Sequence, residues 1–244
     1  MGALSGKVAV VTGAGRGIGQ AIALAYGEAG AAVACLARTE DEIGDTAGRI
    51  RAAGGESVPL VCDVTDPDTV ARVFGSLGER FGGLDLAVLN AGVGGPVASV
   101  ERSDAAAWTR VLEVNLFGAY HCARAAIPLL KRRGGGRIVL VGSGLGHHGM
   151  ARQSAYACSK AGLWMLTRVL ADELVADRIS VNELIPGPVD TRAAREHPDP
   201  DGVFTIATEW IKTPEDVAPL ALFLATHPEP GPTGQSFSLM RRTL

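Results

Sequence analysis

The sequence predicts an α/β fold, one doubly wound parallel sheet of about seven strands with helices on both faces. Three observations predict it. Short β-branched apolar runs alternate along the chain with longer stretches rich in Ala, Leu and Glu. The apolar runs are continuous rather than alternating, as strands buried on both faces require. The stretch between successive runs is long enough for a helix, so each connection is a right-handed crossover between parallel strands.

The elements follow in order. Val8–Val11 is the first strand, and a glycine-rich turn leads from it into a helix over 18–29. Ala32–Leu36 and a helix over 40–53 come next, then Val58–Val61 and a helix over 67–81 whose start is marked by Asp66-Pro67, a capping residue before proline. Leu84–Leu89 is followed by a long helix over 104–131 opened by Ser103-Asp104. Arg137–Val141 precedes a helix over 154–176, and Ile179–Leu184 is the sixth strand. Residues 188–212, with Pro188, Pro198 and Pro200 among mixed charges, break the rhythm and read as a mobile flap. Thr213-Pro214 opens a helix over 214–226, and a Pro/Gly-rich turn from His227 to Thr233 leads to a last strand near Gln235–Met240.

At 244 residues, 47% apolar and 20% charged, the chain reads as one domain over 1–244 and not as a disordered segment. A net charge of −3 without a basic block argues against nucleic acid. No apolar run reaches the ~18 residues of a membrane span. The first residues show no secretory pattern, and Gly6 stands where myristoylation needs a hydroxyl. Cys35, Cys62, Cys122 and Cys158 are far apart, so they read as free thiols and not as a metal site. These features predict a cytoplasmic protein without metal, membrane or nucleic-acid partners.

The turn after the first strand is Thr12-Gly13-Ala14-Gly15-Arg16-Gly17-Ile18-Gly19. Missing side chains there let a backbone approach a pyrophosphate, and the following helix N-terminus offers unpaired N–H groups. The spacing is G-x-x-x-G-x-G and lacks the Walker lysine, so it points to a dinucleotide; a tight turn with packing glycines is the alternative. Further on, Tyr156 and Lys160 lie four apart and share a helix face. A phenol with pKa of ~10 is a weak acid near neutrality, and an adjacent ammonium favours its ionised form, which suits it to proton transfer. Ser143 ends the fifth strand, and its hydroxyl can donate to an oxygen on which charge develops.

Thr12–Gly19, Asp63-Val64, Asn90-Ala91-Gly92, Asn115, Ser143, Tyr156-x-x-x-Lys160 and Pro186-Gly187 occur in this order over nearly the whole chain. In this pattern the sequence resembles the short-chain dehydrogenase/reductase family, in its compact, ketoacyl-reductase-like subtype. The resemblance implies a Rossmann-type sheet and hydride transfer between a nicotinamide and a carbonyl or secondary alcohol. It implies that Asn115, Ser143, Tyr156 and Lys160 are catalytic, with Asn115 holding a water in a relay and Lys160 also bonding the nicotinamide ribose; a helix-bending polar residue, a turn serine and an ordinary helix pair are the alternatives for Asn115, Ser143 and Tyr156 with Lys160. It implies a cofactor site of Gly13, Gly15, Arg16, Gly17, Ile18, Gly19, Arg38, Asp63, Val64, Asn90, Gly92, Tyr156, Lys160, Pro186, Gly187, Val189 and Thr191. Asp63 and Val64 are expected at the adenine and Asn90 beside its ribose; a turn acid and a loop-bracing amide are the alternatives for Asp63 and Asn90. The second strand ends Ala37-Arg38 with no carboxylate before Glu40, and with Arg16 this favours NADP(H) over NAD(H).

The substrate pocket is expected from residues 145–153 and 189–210, with His147 and His148 as contacts or surface residues and Trp210 as lid anchor or core residue. Lys131-Arg132-Arg133 end the long helix, but Asp172, Glu173 and Asp177 follow on the next and would repel an acidic carrier protein. Reduction of a 3-oxoacyl thioester therefore stands as an alternative to a small carbonyl substrate, and a non-catalytic NADP-binding regulator as the alternative of another class. Ala155, Ala157, Cys158, Leu163, Trp164, Met165 and Leu166 make the helix from 154 apolar nearly all round. Such a helix is buried on more than one side, which, with the family's habit, implies a homo-oligomer, a homotetramer or dimer.

Overall fold

The computed structural model describes residues 2–192 and 210–241. Seven strands form one parallel sheet in the order β3-β2-β1-β4-β5-β6-β7. They are β1 (Val8–Thr12), β2 (Ala32–Ala37), β3 (Ser57–Val61), β4 (Leu86–Leu89), β5 (Gly136–Val141), β6 (Ile179–Ile185) and β7 (Ser236–Ser238). Every predicted strand is present. Edges shift where a neighbour captures the backbone: Leu84 N donates to the carbonyl of Leu129 in a helix, so β4 starts two residues late. Pro59 sits in β3, the edge strand, where a missing N–H costs least.

The helices are α1 (Gly17–Glu28), α2 (Glu40–Ala52), α3 (Pro67–Phe81), α4 (Ala105–Leu112), α5 (Gly118–Arg132), α6 (Ser154–Leu174) and α7 (Ala218–Thr226). One apolar core, with Phe74, Leu130 and Leu163, packs α3, α5 and α6 on one face of the sheet. A second, with Ile22, Tyr26 and Leu224, packs α1, α2 and α7 on the other. The predicted caps are in place. Asp66 accepts from the N–H groups of Asp68 and Thr69, Asp104 from that of Ala107, and Thr213 with Asp216 closes a capping box.

Three predicted helices differ. The one over 214–226 opens with a 3-10 turn, Pro214–Val217, before α7. The long helix over 104–131 is divided by a π-turn, Glu113–Phe117, in which Gly118 N bonds the carbonyl five residues back. The cause lies at Asn115: its Oδ1 accepts from Val93 N and its Nδ2 donates to Val93 O, which ties this turn to the loop after β4. The helix from 154 ends at Leu174, where a 3-10 turn (Val175–Asp177) and a left-handed Arg178 turn the chain into β6. The flap expected over 188–212 falls largely on 193–209, outside the described residues. Its two described ends meet in a parallel bridge between Val189 and Lys212.

The strand order reverses between β1 and β4, so their C-terminal ends part there and open a crevice, the place where such sheets bind ligands. The loops after β1, β2, β3, β4, β5 and β6 all line one cleft of about 790 Å³ at this end.

Candidate active site

The glycine loop is shaped by close contacts at Gly13, Gly15 and Gly19 and by left-handed backbone. Gly13 (φ 65°) and Gly17 (φ 57°) adopt left-handed backbone. A methyl group on Gly19 would overlap the carbonyl oxygen of Gly13, so this glycine lets α1 press against its own entry turn. Asn90 braces the same turn: its Nδ2 donates to Thr12 O at 2.9 Å and Gly13 O at 3.3 Å. Of the two roles foreseen for Asn90, the loop-bracing one is observed. α1 begins after Arg16 with no side-chain cap and no acid in its first turn, so its leading N–H groups and positive dipole end keep no acidic side chain of their own. This cradle fits a pyrophosphate.

Around it, Gly13, Gly15, Arg16, Gly17, Ile18, Arg38, Asp63, Val64, Asn90, Gly92, Pro186, Gly187, Val189 and Thr191 all line the cleft. Gly19 does not; its contribution is to packing. Asp63 accepts from Thr65 N at 2.9 Å and Thr65 Oγ1 at 2.7 Å. Partial burial pushes its carboxyl up, but the Thr65 hydrogen bonds and the charges of Arg38 and Arg110 outweigh this and hold it below its ordinary range. Glu42 was not foreseen. It sits on α2, lines the cleft, and pairs with Arg16 at 3.2 Å. No motif marks it, because only the packing of α2 against α1 brings it to the glycine loop.

At the other end of the cleft stand Ser143, Tyr156 and Lys160. Ser143 follows β5 in extended backbone, and its Oγ accepts from Leu145 N at 3.2 Å, which starts a 3-10 turn, Gly144–Gly146. Tyr156 and Lys160 share the first turns of α6, with Lys160 Nζ 5.7 Å from the Tyr156 ring centre. Burial raises the Tyr156 phenol above its ordinary value, and a hydrogen bond with Ser143 partly offsets the rise. The expected fall toward phenolate is therefore absent from the protein by itself. Lys160 is buried, and its Nζ donates to Val141 O at 2.7 Å. Burial pushes its ammonium down to about 8, against the opposing charge of Glu183.

Asn115 lies behind this group and does not line the cleft. It is 1% exposed, and its Nδ2 donates to Ser159 Oγ at 3.0 Å as well as to Val93 O, so its side chain joins three elements. His147, read as a substrate contact or a surface residue, turns away from the cleft: Nε2 lies 2.9 Å from Glu183 Oε2, and the ring is 5.0 Å from that of Trp164. Neither His147 nor His148 lines the cleft. Trp210 is 44% exposed, which excludes a core role within this chain. Leu145, Met150, Gln153, Ile211 and Met240 form the part of the wall beyond the serine; residues 145–153 were expected there, Ile211 and Met240 were not. No group of residues suited to a metal ion occurs among the described residues. No helix among them is long and apolar enough to cross a membrane.

Residues 7–201 match the family described as short chain dehydrogenase. The cis-4-hydroxycyclohexanecarboxylate dehydrogenase of Sinomonas cyclohexanicum is 39% identical over 228 residues, 92% of this chain and 91% of that protein. A Beutenbergia cavernae structure with NADP at low occupancy, described as a candidate NAD(P)-dependent gluconate 5-dehydrogenase, superposes with a TM-score of 0.88 at 36% identity, covering 96% and 95% of the two chains. A 7α-hydroxysteroid dehydrogenase in complex with NADH and 7-oxo glycochenodeoxycholic acid superposes with a TM-score of 0.90 at 30% identity, covering 97% and 93%.

Proposed function

We propose, for a chain that belongs to the short-chain dehydrogenase/reductase family and is an oxidoreductase of alcohol and carbonyl groups, that Tyr156 is its proton donor and acceptor, that Ser143 and Lys160 serve it, and that NADP(H) is its cofactor. The observation that carries the reading is the convergence of Ser143, Tyr156 and Lys160 at one end of a cleft whose other end is the glycine cradle. A nicotinamide bound there supplies or accepts the hydride.

The side chains account for the rest. Ser143 Oγ donates to the substrate oxygen and steadies the charge that grows on it. Tyr156 passes its phenolic proton to that oxygen in reduction and takes it back in oxidation. The Lys160 ammonium lowers the cost of the phenolate left behind. Asn115 holds the π-turn and, through Ser159, the helix that carries both residues. Replacing Tyr156 by Phe keeps the ring and removes the proton; turnover of a working ketone is expected to fall about a thousandfold. Near-parental NADPH consumption, followed by absorbance, would refute the assignment.

NADP(H) is favoured because Arg16 and Arg38 border the cleft where β2 ends without an acid. Glu42 tempers this by pairing with Arg16. A small carbonyl or alcohol is favoured over a carrier-bound acyl thioester because Lys131, the first of the three basic residues, is neutralised by Asp177 at 2.7 Å. The chain is proposed to act as one catalytic domain in the cytoplasm, in keeping with four free cysteines. It is further proposed to work as a homo-oligomer, since Phe117 at the end of the π-turn, Tyr120 on α5, and Met165 and Val169 on α6 are 45–49% exposed. A monomeric mass in solution would remove that part of the reading.

A further inference from the structure

Behind the reacting groups lies a second ionisable pair that the proposed chemistry leaves unused. Glu183, in the middle of β6, is fully buried. Its Oε2 is met by His147 Nε2 at 2.9 Å and accepts from Ser236 Oγ at 2.6 Å, while its Oε1 has no hydrogen-bond partner. A buried carboxylate with one oxygen unpaired is costly, and an apolar residue in β6 would avoid that cost.

Its place is specific. A methyl group on Gly142 would overlap Glu183 Oε1, so the carboxylate occupies the side-chain space of the residue before Ser143. His147 ends the 3-10 turn that Ser143 begins, and Gly146 of that turn rests on the backbone of α6 at Lys160. The side chains in contact with the carboxylate are His147 from the turn and Ser236 from β7; Lys160 of α6 has its Nζ on the carbonyl of Val141, the residue before Gly142, and the Glu183 charge acts on it. The end of β5 brings only apolar side chains here, and Gly142 follows it. Arg168 of α6 lies on the far side, stacked on Trp164 at 4.8 Å, and Trp164 in turn packs on His147.

We propose that Glu183 and His147 are positioning residues for proton transfer: the carboxylate is the buried counter-charge of Lys160, and the imidazole locks the Ser143 turn against that carboxylate. The pair rests on the reading of Tyr156 and Lys160 as the proton-transfer groups. Burial drives Lys160 toward its neutral form, and the Glu183 charge is what opposes it. Without that charge the lysine loses its proton at lower pH, and the phenolate of Tyr156 loses its support.

The chain has four lysines, Lys7, Lys131, Lys160 and Lys212. Lysine labelled with carbon-13 at Cε thus gives a spectrum in which Lys160→Met identifies one resonance. In Glu183→Gln, which keeps the shape and removes the charge, that resonance is expected to titrate roughly one pH unit lower than in the parent. The alkaline limb of kcat for reduction should move with it, KM for substrate being unchanged. A Lys160 titration identical in parent and folded variant overturns the proposal. Should Glu183→Gln not fold, two substitutions at His147 decide. His147→Leu is expected to lower kcat about tenfold, and His147→Gln, which still donates to the carboxylate, to recover most of it. Equal loss in both, or none in either, overturns the positioning role. The lysine titration needs no turnover. A shifted Lys160 beside a fully active Tyr156→Phe would discard the proton-transfer assignment and leave the counter-charge standing.

Discussion

The half of the sheet built from β1, β2 and β3 and the half built from β5, β6 and β7 end on the same cleft but fill it differently. On the first side the recognising surface is backbone. Gly13, Gly15 and Gly17 expose peptide groups, and the start of α1 carries no acidic side chain to compete for its N–H groups. On the second side the surface is side chain: a hydroxyl, a phenol and an ammonium from β5 and α6, with a carboxylate and an imidazole buried behind them. A backbone cradle tolerates no added atoms but needs no titration. A side-chain site tolerates isosteres and depends on charge. The two sides should therefore break in different ways.

The strongest blow to the backbone side is Gly19→Val. Overlap with the Gly13 carbonyl forces α1 off its turn, and NADPH affinity should fall between about tenfold and a hundredfold, measured by tryptophan fluorescence titration. An unchanged affinity would mean the cradle is not where the pyrophosphate sits. On the side-chain side, pH is the sharper tool. Lys160 has its ammonium form pushed down to about 8 by burial, so its charge is present below that pH and is lost above it. Reductive kcat should fall by up to about tenfold per pH unit on the alkaline side, a slope that the glycine substitution leaves in place. A flat profile to pH 10 would show that the lysine charge is not needed.

Smaller effects separate the two arginines. Arg38→Ala should raise KM for NADPH roughly tenfold and leave NADH nearly unchanged, as loss of a charge-assisted contact to a phosphate does. Equal effects on both cofactors would count against the NADP preference. Glu42→Gln should lower KM for NADPH by about threefold, because it frees Arg16 from an exposed ion pair of small worth. No change there would show that Arg16 does not reach the cofactor.

The contrast also explains what could be read in advance. Every strand was legible, because burial on both faces demands continuous apolar runs and that demand is local. The caps at Asp66, Asp104 and Thr213 were legible for the same reason. The break at Glu113–Phe117 was legible only as the alternative of a helix-bending Asn115; what holds it, a hydrogen-bonded pair between Asn115 and Val93, twenty-two residues away, was not. That Gly19 does not line the cleft, and that His147 turns toward Glu183, could not be read in advance, because a glycine or a histidine in a loop carries no sign of which way it faces. Glu42 and Glu183 went unnoticed, having no motif of their own.

By itself the sequence determined the parallel sheet, the backbone cradle after β1 and the order in which Ser143, Tyr156 and Lys160 occur. These follow from side-chain size, periodicity and spacing along one chain. Only the tertiary structure decided that Asn90 braces the cradle, that Glu42 reaches Arg16, and that Glu183 lies behind Gly142 with His147 and Ser236 upon it. Those contacts join residues from 26 to 78 positions apart. Their partners are chosen by how helices and strands pack, and packing leaves no local mark on the residues it brings together.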